Sequence, residues 1–144
     1  MVRAVQYLLL IFCFFPVMSF AKTTFGDVVV SRVVSVYDGD TFRVDIDHWP
    51  ALVGQNAPIR VKQVDTPELR GKCPSEKALA KQAKIFTQAL LRNSAQVELR
   101  NIERGKYFRI LADVYIDNQS LASLLIANNL ARPYQGGKRS GWCE

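Results

Sequence analysis

Three strand-like runs precede the first helical pattern, and a turn signal joins the first two; that order restricts the possible folds more than any other feature of this chain. Asp27 to Tyr37 is rich in valine. Thr41 to Asp47 alternates Phe42, Val44 and Ile46 with Arg43, Asp45 and Asp47, the period of a half-buried strand. Asp38-Gly39-Asp40 lies between them, and Asp-Gly between two such runs predicts a hairpin turn. His48 to Ala57, with Pro50, Gly54 and Asn56, reads as a loop, and Pro58 to Val64 as a third strand. Pro74 suits the first turn of a helix that runs to Asn93, with Leu79, Ala83, Phe86 and Leu90 on one stripe and lysines opposite. Ala95 to Asn101 and Tyr107 to Ile116 are two further strands. Asp117-Asn118 makes a turn, and Ser120 caps a second helix to about Asn128, with Leu121, Leu124 and Leu125 inward. The order β-β-β-α-β-β-α predicts an α+β fold dominated by strands: a five-stranded Greek-key barrel of OB type with two packed helices.

The first stretch is expected to lie outside that fold. Met1 to Ala21 holds one charge, Arg3, then an uncharged apolar run from Tyr7 to Phe20, then Ser19-Phe20-Ala21 before Lys22. That is the layout of a secretory signal peptide. The run falls short of the roughly 20 residues of a spanning helix, and Pro16 interrupts it. Removing residues 1–21 leaves 22–144, 123 residues, enough for one domain. The protein is then expected to be exported, periplasmic or secreted, with no membrane attachment. Without Arg3 the basic residues number 18 against 13 acidic, a modest excess that suits a polyanion without requiring one. The mature chain keeps two cysteines, Cys73 and Cys143, and an even pair in an exported domain reads as a disulfide. Closing such a 70-residue separation is worth roughly 4 kcal/mol in the chain-entropy model. Two lone cysteines do not have the spacing of zinc ligands.

Several charged residues gain meaning only together. Asp40 ends a turn and Asp65 ends a strand, so a small barrel can bring both to one rim. Two carboxylates about 4 Å apart repel by roughly 4 kcal/mol at an effective dielectric near 20, so such a pair needs a cation or a shared proton. Oxygen ligands without histidine or cysteine favour calcium or magnesium. His48, the single histidine, reads as a loop residue. Glu68 lies three residues beyond Asp65. Arg60 precedes Asp65 by five, an odd separation that puts the two on opposite faces of an ideal strand. They share a rim if the strand twists or bulges, or if Asp65 lies beyond its end. A guanidinium suits phosphate because it stays charged and donates two parallel hydrogen bonds. Arg109 would be a second. Metal, carboxylate and two arginines form a site for phosphodiester hydrolysis.

These residues lie in stretches that resemble the staphylococcal (micrococcal) nuclease, or thermonuclease, family. The stretches are Asp38-Gly39-Asp40-Thr41, Ile59-Arg60-Val61 through Val64-Asp65-Thr66-Pro67-Glu68, and Lys106-Tyr107-Phe108-Arg109, in the family's order with the helix between the second and third. The resemblance runs from about Val30 to Arg132. It implies that Asp40 and Asp65 bind Ca²⁺ by side chain and Thr66 by its carbonyl, and that Glu68 acts as general base. It also implies that Arg60 and Arg109 hold the scissile phosphate and that Lys106 and Tyr107 contact substrate. The implied reaction cleaves DNA and RNA at the 5′ P–O bond and leaves 3′-phosphates. The chain departs from the pattern at three places: His48 to Ala57 resembles an insertion, Phe108 stands where a glycine usually precedes the arginine, and the family's third helix is not expected after Asn128. Three readings of the tail from Gly136 to Cys143 stay open: it replaces that helix, it presents Lys138 and Arg139 to the backbone of a long substrate, or it is a solvated tail.

The competing reading is a non-catalytic OB module that binds single-stranded nucleic acid. It has no need of Glu68 and two metal carboxylates together, so the enzyme is favoured. The expected partner is nucleic acid; a monomer without stable protein partners is expected.

Overall fold

A computed structural model describes residues 23–143; the expected signal peptide, residues 1–21, lies outside the described residues. Among those residues the strands are β1 (Val28–Val29), β2 (Arg32–Val36), β3 (Thr41–Asp45), β4 (Ala57–Val61), β5 (Val64–Asp65), β6 (Val97–Arg104), β7 (Ile110–Ile116), β8 (Gln119–Ser120) and β9 (Arg132–Pro133). The helices are α1 (Ala51–Gly54), α2 (Pro74–Asn93) and α3 (Leu121–Ala127). The main sheet has seven strands in the order β1-β6-β7-β4-β3-β2 with β8 on β7, and five of them, β2, β3, β4, β6 and β7, have five or more residues. β4 and β7 run parallel, and the other pairs are antiparallel. This curled, strand-dominated sheet with its helices is the expected OB-type barrel. No helix of the described residues is long and apolar enough to cross a membrane.

Alternation decides which face of each strand is inside. Phe42 and Val44 of β3, Ile59 and Val61 of β4, Leu99 of β6, and Ala112 and Val114 of β7 are buried, while Arg43, Arg60, Arg100 and Asp113 face outward between them. Leu121 and Leu125 of α3 close one end of this core, and Ala83 and Leu91 of α2 pack on it. Each fully buried Leu, Ile or Phe contributes about 1.5–3 kcal/mol by leaving water.

The structure corrects several sequence-level boundaries. The loop expected at His48–Ala57 contains the one-turn helix α1. The valine-rich run divides into β1 and β2, and the strand expected over Pro58–Val64 ends at Val61. Gln63 adopts φ 65°, in the left-handed region, and breaks it. The buried stripe of α2 is Ala80, Ala83, Thr87 and Leu91; Leu79, Phe86 and Leu90 are only partly buried beside it. The strand expected from Tyr107 begins at Ile110, because Tyr107 and Phe108 both have left-handed backbone, φ 58° and 59°. A third helix joins the two expected. Ser120 caps α3 as expected, its side chain accepting from the Ser123 N–H. Asp117 and Asn118 turn β7 into β8, with positive φ at both.

Candidate active site

The Asp38–Thr41 turn is held from below. Asp38 and Tyr37 amides donate to the Thr41 carbonyl, and the Asp40 amide donates to Asp38 Oδ1 at 3.1 Å. Gly39 is needed here for space rather than for a positive φ: a Cβ on it would lie 2.8 Å from Ala83 Cβ and 3.0 Å from Thr66 Cγ2. Thr87, fully buried on α2, donates its hydroxyl to the Gly39 carbonyl at 2.7 Å. So the helix grips the turn, and the turn touches the segment that carries Asp65 and Thr66.

Register then delivers Arg60. Thr41 of β3 pairs with Arg60 of β4, so Asp40, one residue earlier, lies beside the guanidinium. Arg60 Nη1 is 2.9 Å from Asp40 Oδ1, which also accepts from the Thr41 hydroxyl at 2.9 Å. Asp40 is fully buried. Burial pushes its pKa up to about 6; Arg60 pulls it down and Asp38 adds to the rise. Asp65 solves the face problem by lying beyond β4, on β5, which pairs with β9. Trp142 Nε1 donates to Asp65 Oδ2 at 3.1 Å.

Two oxygens stand out. Asp40 Oδ2 and Asp65 Oδ1 are buried and accept no hydrogen bond. Arg139 Nε lies 3.1 Å from Asp65 Oδ1, but its N–H is not aligned on that oxygen, so the contact is an ion pair only. A buried carboxylate oxygen without a donor is costly. One such oxygen on each of the two expected ligands fits a hard divalent cation. Thr66, between them and Glu68, is buried. Cys73, Glu76 and Cys143 also cluster, but the two sulfurs are 2.08 Å apart and Cα atoms 5.9 Å apart, a disulfide and not a ligand pair.

Glu68 is exposed at the rim, and its backbone is positioned by Glu76 from the first turn of α2. Glu76 Oε1 accepts from the Glu68 amide at 3.3 Å and Oε2 from the Lys72 amide at 3.0 Å. Gly71 leaves room for that carboxylate, since a Cβ there would lie 2.3 Å from Glu76 Cδ. Gly71→Ala is therefore expected to displace Glu76 and cost about 1–3 kcal/mol, the usual range for overpacking. Urea unfolding measures it, and a change below about 0.5 kcal/mol would disprove the contact.

Arg109 follows the turn Lys106–Phe108 and precedes β7, whose Leu111 pairs with Arg60. Alternation puts Arg109 on the same outward side as Leu111 and Arg60. Among the described residues its guanidinium has no hydrogen-bond or ion-pair partner. The structure thus joins Arg60 to Asp40 directly but leaves Arg109, half-buried just ahead of the neighbouring strand, without a partner among the described residues. Tyr107 is 85% exposed at the same tip, beside exposed Lys106. A cleft of about 460 Å³ opens beside Arg60, lined among others by Lys62, Gln63, Leu111 and Tyr134.

Sequence reasoning missed Glu76, Thr87, Tyr134 and Trp142. Glu76 carried no signal beyond an acid in a helix's first turn. Thr87 broke an otherwise apolar face, which was a signal, since a hydroxyl in a packed stripe needs an acceptor.

Residues 58–141 match the profile of the family described as Staphylococcal nuclease homologue. The match begins past Asp40, so that residue's place in the site rests on the turn geometry. The chain is also similar to the SPbeta prophage-derived endonuclease YokF of Bacillus subtilis (strain 168), 31% identical over 109 residues, 74% of this chain and 33% of that protein. It spans about a third of the length of that curated relative. With more than half of its residues matched to the family, on an OB-type barrel, the chain belongs to the staphylococcal nuclease homologue family.

Proposed function

We propose that this protein is an exported, Ca²⁺-dependent endonuclease that hydrolyses DNA and RNA at the 5′ P–O bond and leaves 3′-phosphates. The observation that carries the reading is the pair of donorless buried oxygens, Asp40 Oδ2 and Asp65 Oδ1, on the two expected carboxylate ligands, with Arg60 paired to Asp40. Arg60 and Arg139 pair with this acidic floor without donating a hydrogen bond to either oxygen, and a simple binding module has no reason to bury carboxylates where a polyanion binds.

Asp40, Asp65 and the Thr66 carbonyl would hold the ion, which when bound supplies charge stabilisation for the phosphoryl oxygens. Arg60 draws the scissile phosphate against this floor, and Arg109 neutralises the charge that develops on it. Glu68 takes a proton from water as the water oxygen attacks phosphorus. The bond from phosphorus to the 5′ oxygen breaks, and that oxygen takes up a proton. Tyr134 and Leu111, with Gln63, offer the neighbouring cleft to a nucleotide, and Lys106 and Tyr107 contact the strand beyond. The leader, residues 1–21, would direct export, an environment that supports a Cys73–Cys143 bond.

The test incubates purified protein with single- and double-stranded DNA and RNA, with Ca²⁺ or with chelator. Cutting is expected with Ca²⁺ alone, giving ends that a polymerase extends only after phosphatase treatment. Chelator-resistant cutting would remove the metal from the mechanism. Binding without any cutting would establish the non-catalytic module instead.

A further inference from the structure

The tail closes over the acidic residues of the site, and its course is fixed at several points. β9 pairs with β5, so Arg132 stands across from Asp65. Gly136 and Gly137 take left-handed backbone, φ 100° and 90°, and turn the chain back; the Tyr134 hydroxyl donates to the Gly137 carbonyl at 2.8 Å. Arg132 donates to the Gly141 carbonyl at 2.9 Å, and its guanidinium lies 3.9 Å from the Trp142 ring. Trp142 reaches Asp65, and Cys143 joins Cys73 just ahead of α2. Between these anchors Arg139 Nη1 donates to Glu68 Oε1 at 2.6 Å while Nε lies 3.1 Å from Asp65 Oδ1. One guanidinium therefore bridges a carboxylate with a donorless buried oxygen and the carboxylate at the rim. Burial opposes the charge of Arg139, but Asp65 and Glu68 outweigh it, and its pKa lies above the ordinary arginine value.

A surface ion pair gains little because two free side chains lose entropy in forming it. Here Asp65 is buried, and the backbone bearing Arg139 is tied on both sides, so less entropy remains to be lost. We propose that Arg139 is a positioning residue of the active site, held there by the Cys73–Cys143 bond: it orients Glu68 and occupies Asp65 until a divalent cation takes its place. Loading then requires Arg139 to give up Asp65 Oδ1 while keeping Glu68. Its charge weakens cation binding and sharpens the placement of Glu68. The kinetic part of this inference rests on the nuclease reading; the cation-binding part does not.

The experiment titrates Ca²⁺ by calorimetry, without nucleic acid, into the wild-type protein, Arg139→Gln, Arg139→Lys and the double variant Cys73→Ser/Cys143→Ser. Thermal melting confirms that each is folded. Arg139→Gln is expected to bind Ca²⁺ at least fivefold tighter, and Arg139→Lys within twofold of wild type. The double cysteine variant should shift in the same direction as Arg139→Gln, and adding Arg139→Gln to it should change affinity by less than twofold. In cleavage assays Arg139→Gln should lower kcat at least tenfold with KM within threefold. Unchanged or weaker Ca²⁺ binding by Arg139→Gln would overturn the proposal, even if the wild-type protein cuts DNA. Tighter binding by Arg139→Gln in a protein that never cuts would uphold Arg139 as the cation's competitor and overturn the nuclease reading alone.

Discussion

Arg60→Ala is expected to slow DNA cleavage by about 10² or more, the scale seen when one preorganised donor to a developing phosphoryl or oxyanion charge is lost. Two effects add at this position. The substrate loses a guanidinium, and Asp40 loses the cation 2.9 Å from its Oδ1. Since Arg60 pulls the Asp40 pKa down, its removal lets burial raise that pKa further, and residual activity should need a higher pH. Arg109→Ala separates the effects. Its guanidinium has no partner among the described residues, so the rate should fall on a similar scale while the melting temperature stays unchanged. Kinetics on folded variants across pH 5 to 9 provide the check. An Arg60→Ala enzyme within threefold of wild type would reduce Arg60 to a structural partner of Asp40.

The second large effect concerns stability, and its sign reverses with the cation. Asp40 ionises near 3.8 when unfolded and near 6 when folded. The folded state therefore binds the proton more tightly, and the stability that this brings is fully present below pH 3.8 and lost as pH rises through 6. The loss attributable to this residue is on the order of 3 kcal/mol, since each unit of pKa corresponds to about 1.4 kcal/mol. Ca²⁺ acts the other way, because it binds the ionised carboxylate of the folded chain. At 100 times its dissociation constant it restores about 2.7 kcal/mol. Melting temperatures at pH 5 and 7.5 should thus fall with pH in chelator, while added Ca²⁺ should stabilise strongly at pH 7.5 and weakly at pH 5. Asp40→Asn should flatten Asp40's part of the slope in chelator and abolish the Ca²⁺ effect. If the Asp40→Asn variant were still stabilised by Ca²⁺, Asp40 would leave the ligand set.

Much of the sheet was legible because burial on one face writes a period of two into a strand. Phe42-Arg43-Val44-Asp45 could face only one way, and β3 is where the alternation put it. The ends of elements were less legible. At Val61 the alternation could continue, yet Gln63 at φ 65° breaks the strand and sends Asp65 to pair with a tail segment about 70 residues away in the chain. No local pattern announces such a pairing. Tyr107 and Phe108 have strand propensity, but the hairpin tip, closed by the Gly105 amide on the Arg109 carbonyl at 2.7 Å, forces both into left-handed backbone. In α2 the apolar residues are spread widely enough that packing against the Asp38–Thr41 turn selected Thr87 over Phe86 for the buried position.

The sequence by itself determined the type of barrel, the turn that bears Asp40, and the set of charged residues from which a phosphodiesterase can be made. Charge and hydrogen-bonding chemistry belong to residue types, and strand period belongs to the backbone, so both survive in a one-dimensional reading. Only the tertiary structure decided which charges meet. It placed Arg60 on Asp40 through the β3–β4 register, and it left one buried oxygen on each aspartate without a donor. It also carried Arg139 from an exposed tail onto Glu68 and Asp65. Contacts between residues tens of positions apart depend on where the chain turns and what it packs against, and those choices are made by the whole core at once.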